Sequence, residues 1–179
     1  MNTLPPPLPG APPLGSQSCT VQRVGAEAAA EAVAILHEAA AWAAARNAPV
    51  WTPDELRIDD FRVAANAEEL VVGYAGSTPA ATMLLQAADR VYWPEAAPGS
   101  ALYVHKVAVR RAYAGQQWVD RLIEFAAADA RRRKIGRLRL DTILRPALRS
   151  LYERLGFTVI PEEPLMMRGR PMIRMERVL

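Results

Sequence analysis

The alternation of apolar and polar residues along the chain predicts a series of β-strands separated by helices. Period-two stretches bounded by Gly, Pro or Asn indicate strands, whereas apolar residues that recur every three or four positions indicate amphipathic helices. By these criteria the predicted strands are 19–24, 69–75, 80–86, 101–109, 137–143, 157–160 and 172–178. The predicted helices are 26–46, 53–65, 115–134 and 146–155. This interleaving predicts one α/β domain whose mixed, seven-stranded sheet is flanked by about four helices.

Capping signals set the expected helix ends. Thr52 reads as an N-cap, followed by Pro53 at the first helical position and by acidic residues in the first turn. The second helix is therefore expected to start at Pro53. Gly136 follows the basic end of the third helix and is expected to terminate it.

The first 18 residues have a different composition from the rest of the chain. They hold six of the fifteen prolines, and proline lacks the N–H group that helices and central strands require. Residues 1–18 are therefore predicted to form a flexible, proline-rich arm, and the folded domain is expected over 19–179. The start of the chain has no basic segment followed by an apolar one, so no signal peptide is expected and a cytoplasmic location is predicted.

Composition excludes several classes of protein. A single cysteine, Cys19, cannot build a disulfide framework, and with only two histidines a structural zinc site is not expected. No apolar run reaches the roughly 18 residues that a membrane span requires. The net charge of +3 comes from basic residues that are interleaved with acidic ones, which argues against nucleic-acid binding but is compatible with an anionic small molecule.

The most informative stretch is a strand, a turn and a helix over residues 104–134. The start of a helix offers unpaired N–H groups and the positive end of the helix dipole, and both favour a phosphate group. A second informative segment follows about 30 residues later, where Leu148, Tyr152, Gly156 and Phe157 fit the pattern Leu-x-x-x-Tyr-x-x-x-Gly-Phe. Together the two motifs, with the order of elements from Cys19 onwards, resemble the GCN5-related N-acetyltransferase (GNAT) family.

This resemblance implies an enzyme that transfers an acetyl group from acetyl-CoA to a primary amine of a small molecule. Direct attack in a ternary complex is expected, since the only thiol, Cys19, lies outside the implied site. The backbone of Val107, Ala108 and Val109 would pair with the pantetheine arm, and an N–H group near Val107 would stabilise the oxyanion. The implied pyrophosphate ligands are backbone groups of Gly115, Gln116, Gln117, Trp118, Val119 and Asp120, with Arg145 and Arg149 as further phosphate contacts.

The resemblance also suggests the groups that move protons. Tyr152 would act as the general acid that protonates the departing thiolate. His105 is the candidate general base, because it lies on the predicted fourth strand two residues from Tyr103, so that both side chains face one side of the sheet. The alternative interpretation is a packed histidine whose ring is hydrogen-bonded. Asp89 and Glu95, in the loop before this strand, are weaker candidates for the base.

The chain departs from the family pattern at four positions. Ala114 stands where the family has a basic or amide residue, Gln117 and Val119 stand at positions for small residues, and Arg145 replaces an asparagine. These departures support an alternative: a non-catalytic GNAT-fold protein whose altered loop binds CoA weakly, or binds another ligand or partner.

Three tryptophans could contribute to the site or to the core. Trp42, Trp51 and Trp93 lie in segments that line the acceptor pocket in this family, but core packing is an equally good interpretation of each. The sequence identifies neither the acceptor nor the oligomeric state, although members of the family are often dimers.

Overall fold

The structure is a computed structural model that describes residues 18–179. Except for Ser18, the predicted proline-rich arm lies outside the described residues. The chain divides into two compact units. The first comprises the residues up to Met83 together with Lys106–Leu122, and the second comprises Leu84–His105 and Ile123–Leu179.

Four α-helices and eight β-strands form in the described residues. The helices are α1 (Ala29–Ala44), α2 (Ile58–Asn66), α3 (Trp118–Arg132) and α4 (Pro146–Arg154). The strands are β1 (Cys19–Arg23), β2 (Leu70–Ala75), β3 (Thr78–Gln86), β4 (Leu102–Val109), β5 (Arg137–Ile143), β6 (Thr158–Val159), β7 (Leu165–Met167) and β8 (Arg170–Val178). The predicted α/β class and the four helices are confirmed. None of the helices in the described part combines the length and apolar character needed to cross a bilayer.

Strand β2 is central to the first unit. It pairs antiparallel with β1, from Cys19 opposite Ala75 to Arg23 opposite Val71. Leu70, Val71 and Val72 are completely buried although they are consecutive, so both faces of the strand are covered. A continuous apolar run is the composition expected of such a strand.

Strand β5 organises the second unit. On one side it pairs in parallel with β4, where Leu102–Val104 lie opposite Leu138–Leu140. On the other side it pairs antiparallel with β8 along its whole length, from Arg137 opposite Val178 to Ile143 opposite Met172. Parallel and antiparallel pairs occur together, which confirms the predicted mixed sheet.

The strand that the sequence analysis missed, β7, forms a hairpin with β8. Met167 lies opposite Arg170, and the two residues between them, Arg168 and Gly169, have φ angles of 50° and 72°. Two consecutive residues with positive φ are the requirement of a type I′ turn, which matches the twist of the flanking strands. Arginine is not a usual signal for this turn, so seven strands were predicted instead of eight.

Three predicted α-helix starts were wrong. Helix α1 begins at Ala29, after a 3₁₀ turn over Ala26–Ala28. Thr52 and Glu55 do form a reciprocal capping box, but it closes a single 3₁₀ turn, Pro53–Glu55, and α2 begins only at Ile58. Helix α3 begins at Trp118 instead of Gly115, because Gly115 and Gln117 have φ angles of 78° and 59°, which no right-handed helix accommodates.

The core of the first unit requires a glycine at one strand position. The indole of Trp118 is 1% exposed and packs directly on Gly73 of β2. A Cβ atom on Gly73 would lie 2.7 Å from Cζ3 and 2.9 Å from Cε3 of this ring, closer than side chains tolerate. Gly73 therefore permits the close approach of the first turn of α3 to the strand.

We predict that Gly73→Ala lowers the free energy of unfolding by about 1–3 kcal/mol, because the added methyl group overpacks the site against Trp118. Gly136→Ala is the matched control, since a Cβ at Gly136 would meet no heavy atom of residues 18–179 within 4 Å beyond its chain neighbours. The control should be neutral or stabilising by up to about 1 kcal/mol. Denaturant unfolding measures both, and equal effects would contradict the packing argument.

Candidate active site

The conformation of β4 changes immediately after His105. Lys106 has a φ of 54° within the strand, and a left-handed residue in a strand is the mark of a β-bulge. The parallel register with β5 comprises Leu102–Val104 and thus ends just before this position. A bulge re-aims the residues next to it, so His105 and Val107 do not continue a regular pleat.

His105 lies between two aspartates in the second unit. Its Nε2 atom is 3.5 Å from Oδ2 of Asp89, and its Nδ1 atom is 3.1 Å from Oδ1 of Asp141. The side chains of Asp89 and Asp141 are only 4% and 10% exposed, whereas that of His105 is 17% exposed. Neither facing carboxylate oxygen has a hydrogen-bond partner among residues 18–179. Two buried carboxylates therefore converge on one imidazole, with one carboxylate at each ring nitrogen.

A local turn orients the carboxylate of Asp89. Its Oδ1 atom accepts hydrogen bonds from the backbone N–H groups of Val91 and Tyr92, both at 2.9 Å. This is an Asx-type turn, in which an aspartate side chain replaces a backbone acceptor. The turn leaves Oδ2 directed at His105, so Asp89 is more closely associated with the candidate base than the sequence suggested.

An arginine clamp holds the loop that carries Asp89. The guanidinium of Arg174, on β8, donates to the carbonyl of Tyr92 at 2.9 Å and to Glu95 at 2.6 Å, and it also pairs with Glu162. Glu95, the other weak candidate for the base, thus forms an ion pair and is itself 60% exposed.

Trp93 packs in the core of the second unit. Its ring is 4% exposed, lies 6.2 Å from the ring of Tyr103, and has the guanidinium groups of Arg139 and Arg174 at 4.4 Å and 4.6 Å. These contacts correspond to the packing alternative of the sequence analysis. In the first unit, Trp42 lies beneath the guanidinium groups of Arg46 and Arg111, at 4.2 Å and 4.0 Å.

Tyr152, on α4, is buried and forms an edge-to-face contact with Phe157, with ring centroids 5.9 Å apart. Burial raises the pKa of Tyr152 well above its usual value, and the negative charge of Asp141 raises this pKa further. The hydroxyl group therefore keeps its proton throughout the neutral range, which is the state that a general acid requires.

The two candidate phosphate ligands on α4 differ in their surroundings. Arg145 is the N-cap residue of this helix and is half-buried. Arg149 is exposed, and its Nε atom donates to Glu153 at 2.7 Å, a helical pair of the i, i+4 type. Their contact with a phosphate stays a prediction.

The turn before α3, in the first unit, is the loop for which the sequence predicts phosphate binding. Gly115 and Gln117 both adopt the left-handed conformation, and the carbonyl of Gln117 accepts the N–H of Arg121 to start the helix. The backbone N–H groups of Trp118, Val119 and Asp120 lie in the first turn of α3, where the helix offers no preceding carbonyl to accept them. Gln117 thus follows a backbone path that normally favours glycine, and its side chain is exposed.

Residues at the site differ in how visible they are in sequence. Tyr152 and the turn could be found by motif. Asp141 could not, because its position opposite the end of the β4 register depends on how β4 and β5 pair. An aspartate two or three residues before a turn's N–H groups, as Asp89 is before residues 91 and 92, is a turn signal. This signal does not indicate which side chain the second carboxylate oxygen of the aspartate faces.

We predict that Gln117→Gly raises the free energy of unfolding by roughly 0.5–1 kcal/mol, since it removes the cost of a left-handed non-glycine residue. Gln116→Gly is the matched control, because Gln116 has no positive φ; glycine there adds backbone entropy to the unfolded chain and removes the 3.5 Å hydrogen bond that Nε2 donates to the carbonyl of Ala112. The control should therefore be destabilised. If denaturant unfolding gave both variants the same sign of change, the left-handed turn would be refuted.

We predict that Arg174→Met destabilises the protein by about 2–3 kcal/mol, because it leaves the carbonyl of Tyr92 and two carboxylates without their charged donor. Arg62→Met is the control: Arg62 is 54% exposed and, within residues 18–179, pairs with the exposed Asp59, so its loss should cost under about 1 kcal/mol. Hydrogen exchange should show faster exchange of the Val91 and Tyr92 amides in Arg174→Met alone. Unchanged exchange there would exclude the clamp.

Known proteins of similar fold and sequence identify the family. A family model described as the acetyltransferase (GNAT) family matches residues 35–157. A comparison with the curated proteins found no match.

Solved structures give the same assignment at the level of the fold. A GNAT-family acetyltransferase from Listeria monocytogenes is similar with a TM-score of 0.76 and 18% identity, over 92% of this chain and 97% of that one. The PaiA N-acetyltransferase of Thermoplasma acidophilum, solved with coenzyme A, has a TM-score of 0.70 and 12% identity, over 90% and 99% of the two chains. YncA of Salmonella typhimurium, solved with acetyl-CoA, has a TM-score of 0.67 and 16% identity, over 90% and 94%.

The family match covers more than half of the chain, and the neighbours share its fold. The chain belongs to the acetyltransferase (GNAT) family.

Proposed function

We propose that this protein is a cytoplasmic, acetyl-CoA-dependent N-acetyltransferase that acetylates a primary amine of a small molecule by direct attack in a ternary complex. One observation supports the proposal most: Oδ1 of Asp141 lies 3.1 Å from Nδ1 of His105, and burial together with the negative charge of Asp141 raises the pKa of the Tyr152 hydroxyl, which keeps its proton. An acid and a base are the two groups that acyl transfer from a thioester to an ammonium requires.

Acetyl-CoA is proposed as the co-substrate on two grounds. PaiA and YncA, similar in fold, were solved with coenzyme A and acetyl-CoA respectively. The loop of this chain supports the same co-substrate: a Cβ at Gly115 would meet no atom of residues 18–179 within 4 Å beyond its chain neighbours, and the first turn of α3 offers backbone N–H groups. Backbone N–H groups of Gly115, Gln116, Gln117, Trp118, Val119 and Asp120 would hold the pyrophosphate, and Arg145 and Arg149 would contact phosphate oxygens.

The remaining steps follow from the chemistry of the thioester. The backbone of Val107, Ala108 and Val109 would pair with the amides of the pantetheine arm as an added strand. An N–H group near Val107 would stabilise the oxyanion of the tetrahedral intermediate. Tyr152 would protonate the sulfur as the C–S bond breaks, and His105 would take a proton from the attacking amine.

The acidic surroundings of His105 favour a cationic acceptor. Asp89 and Asp141 carry two negative charges against at most one positive charge on the imidazole, so this part of the second unit attracts an ammonium group. An anionic or neutral acceptor would gain nothing from this arrangement.

A second candidate function rests on the side chains of the loop. Gln117 and Val119 stand where the family has small residues, and they could narrow the space for a pyrophosphate. The protein would then be a non-catalytic member of the family that binds CoA weakly or binds another ligand.

Calorimetric titration with acetyl-CoA, followed by a measurement of free CoA thiol released in the presence of a panel of primary amines, distinguishes the two candidate functions. Binding without thiol release across the panel would favour the second candidate.

We predict that Tyr152→Phe lowers kcat by roughly 10²–10⁴, the usual contribution of a general acid, with little change in the KM for acetyl-CoA. Tyr74→Phe is the control, because Tyr74 is a half-buried tyrosine on β2 with no proposed role. The release of CoA thiol from acetyl-CoA and an accepted amine measures both rates. Full activity of Tyr152→Phe would remove Tyr152 from the acid role.

A further inference from the structure

A cluster of three side chains in the second unit combines donor groups of the kinds that bind metal ions. Asp89, His105 and Asp141 each offer one ligand atom, and these three atoms all lie within 4.8 Å of one another. The loop before β4 supplies Asp89, β4 supplies His105 and β5 supplies Asp141. The side chains of the two aspartates are 4% and 10% exposed, so the cluster differs from the solvated acidic groups that are common on protein surfaces.

The two aspartates are buried without the partners that carboxylates require. The oxygens that face the imidazole, Oδ2 of Asp89 and Oδ1 of Asp141, accept no hydrogen bond from any group within residues 18–179. At 3.5 Å, the contact between Asp89 and Nε2 of His105 is longer than an ordinary hydrogen bond. The imidazole supplies at most one positive charge against two negative ones, and buried charge is costly without full compensation. A bound cation would neutralise this excess of negative charge.

The spacing of the ligand atoms fits one shared ion. Zn²⁺ binds imidazole nitrogen and carboxylate oxygen at about 2.0–2.2 Å, so the ligand atoms around a tetrahedral ion are about 3.3–3.6 Å from one another. The distance of 3.5 Å from Asp89 to Nε2 lies in this range, and the distance of 3.1 Å from Asp141 to Nδ1 is close to it. One carbon atom joins the two ring nitrogens, so small rotations of the side chains bring both carboxylates to whichever nitrogen binds the ion.

The surrounding structure holds the cluster in this arrangement. Oδ1 of Asp89 accepts the N–H groups of Val91 and Tyr92, both at 2.9 Å, which leaves Oδ2 available to an ion. The parallel register of β4 and β5 ends one residue before His105 and Asp141, so the two strands bring these side chains together. Hydrogen bonds that orient a ligating carboxylate are typical of metal sites.

We propose that Asp89, His105 and Asp141 bind a Zn²⁺ ion through one oxygen of each carboxylate and one nitrogen of the imidazole. Imidazole and carboxylate together favour a transition-metal ion, since Mg²⁺ and Ca²⁺ prefer oxygen ligands alone. Three protein ligands leave a fourth position for water. The site thus differs from the closed, four-ligand structural zinc site that the composition of the chain argues against.

Ion binding has a consequence for catalysis that rests on the proposed acetyl transfer. A bound Zn²⁺ takes the single lone pair of the neutral imidazole, with which His105 would accept a proton from the amine. The ion also neutralises the two carboxylate charges that attract the ammonium group. The ion and the amine therefore exclude each other, and Zn²⁺ inhibits acetyl transfer in competition with the amine and not with acetyl-CoA.

Calorimetric titration with ZnCl₂ tests the site without turnover. The protein is prepared without a histidine tag and freed of metal with EDTA, which is then removed by dialysis. A background of His37→Gln and Cys19→Ser removes the other imidazole and the only thiol. One Zn²⁺ should bind per chain, and Asp89→Asn and Asp141→Asn should each weaken this binding about tenfold or more.

Glu176→Gln is the matched control for the two aspartate variants. Glu176 is a largely buried carboxylate on β8 that pairs with Arg139, so its loss should leave the Zn²⁺ affinity of the parent protein unchanged. A second measurement needs no substitution within the site. His105 is the one histidine left in this background, and one equivalent of Zn²⁺ should shift its ring ¹⁵N signals, most strongly that of the nitrogen that binds the ion.

Three results would overturn the site. They are the absence of Zn²⁺ binding, binding that both aspartate variants retain with the affinity of the parent protein, and ring ¹⁵N signals of His105 that do not respond to Zn²⁺.

Kinetic measurements separate the site from the proposed function. They follow the acetylated amine, because Zn²⁺ also binds the free thiol of CoA. In an active protein, Zn²⁺ should raise the apparent KM for the amine, leave that for acetyl-CoA unchanged, and be reversed by EDTA.

The remaining outcomes distinguish the two proposals. A protein that binds Zn²⁺ at the cluster but acetylates no amine would refute the proposed function and retain the site. An active protein to which no Zn²⁺ binds would refute the site and retain the function. Activity that EDTA abolishes and Zn²⁺ restores would retain the site but refute both the exclusion between ion and amine and the role of His105 as the base.

Discussion

Two carboxylates buried against one imidazole impose the strictest requirement on the second unit. Charged groups removed from water are costly unless each meets a partner, and Asp89 and Asp141 share His105 between them. Much of the surrounding structure holds this arrangement in place: the parallel pairing of β4 with β5 sets the positions of His105 and Asp141, and the Asx-type turn aims Asp89. The clamp formed by Arg174 then fixes the loop from outside.

Two of the left-handed residues lie where regular structure gives way to a candidate binding surface. Lys106 interrupts β4 immediately after His105, and Gln117 ends the turn that leads into α3. Neither is glycine, so each conformation costs free energy that the rest of the fold must offset. Arg168 shows the same conformation for a different reason, the tight hairpin between β7 and β8.

The sequence was sufficient to predict an element or a site residue where a local pattern determines the structure. The alternation in 137–143 predicted β5 with its observed bounds, and the motif around Tyr152 located α4 and the proposed acid. The sequence was insufficient where the side chains that contact one another come from distant segments of the chain. Asp141 looked like one polar residue in an alternating strand, and only the register between β4 and β5 places it beside His105. The capping signal at Thr52 was real, but it closed a 3₁₀ turn, because local caps do not determine how far a helix continues.

We propose that this chain binds acetyl-CoA through the loop from Gly115 to Asp120. Calorimetric titration of the wild-type protein with acetyl-CoA and with S-acetylpantetheine, which lacks the pyrophosphate, tests it most directly. We expect acetyl-CoA to bind and S-acetylpantetheine to bind about tenfold more weakly or worse, since each charge-assisted hydrogen bond to a phosphate contributes roughly 1.5–3 kcal/mol. Equal affinity for the two ligands, or no binding of acetyl-CoA, would contradict it.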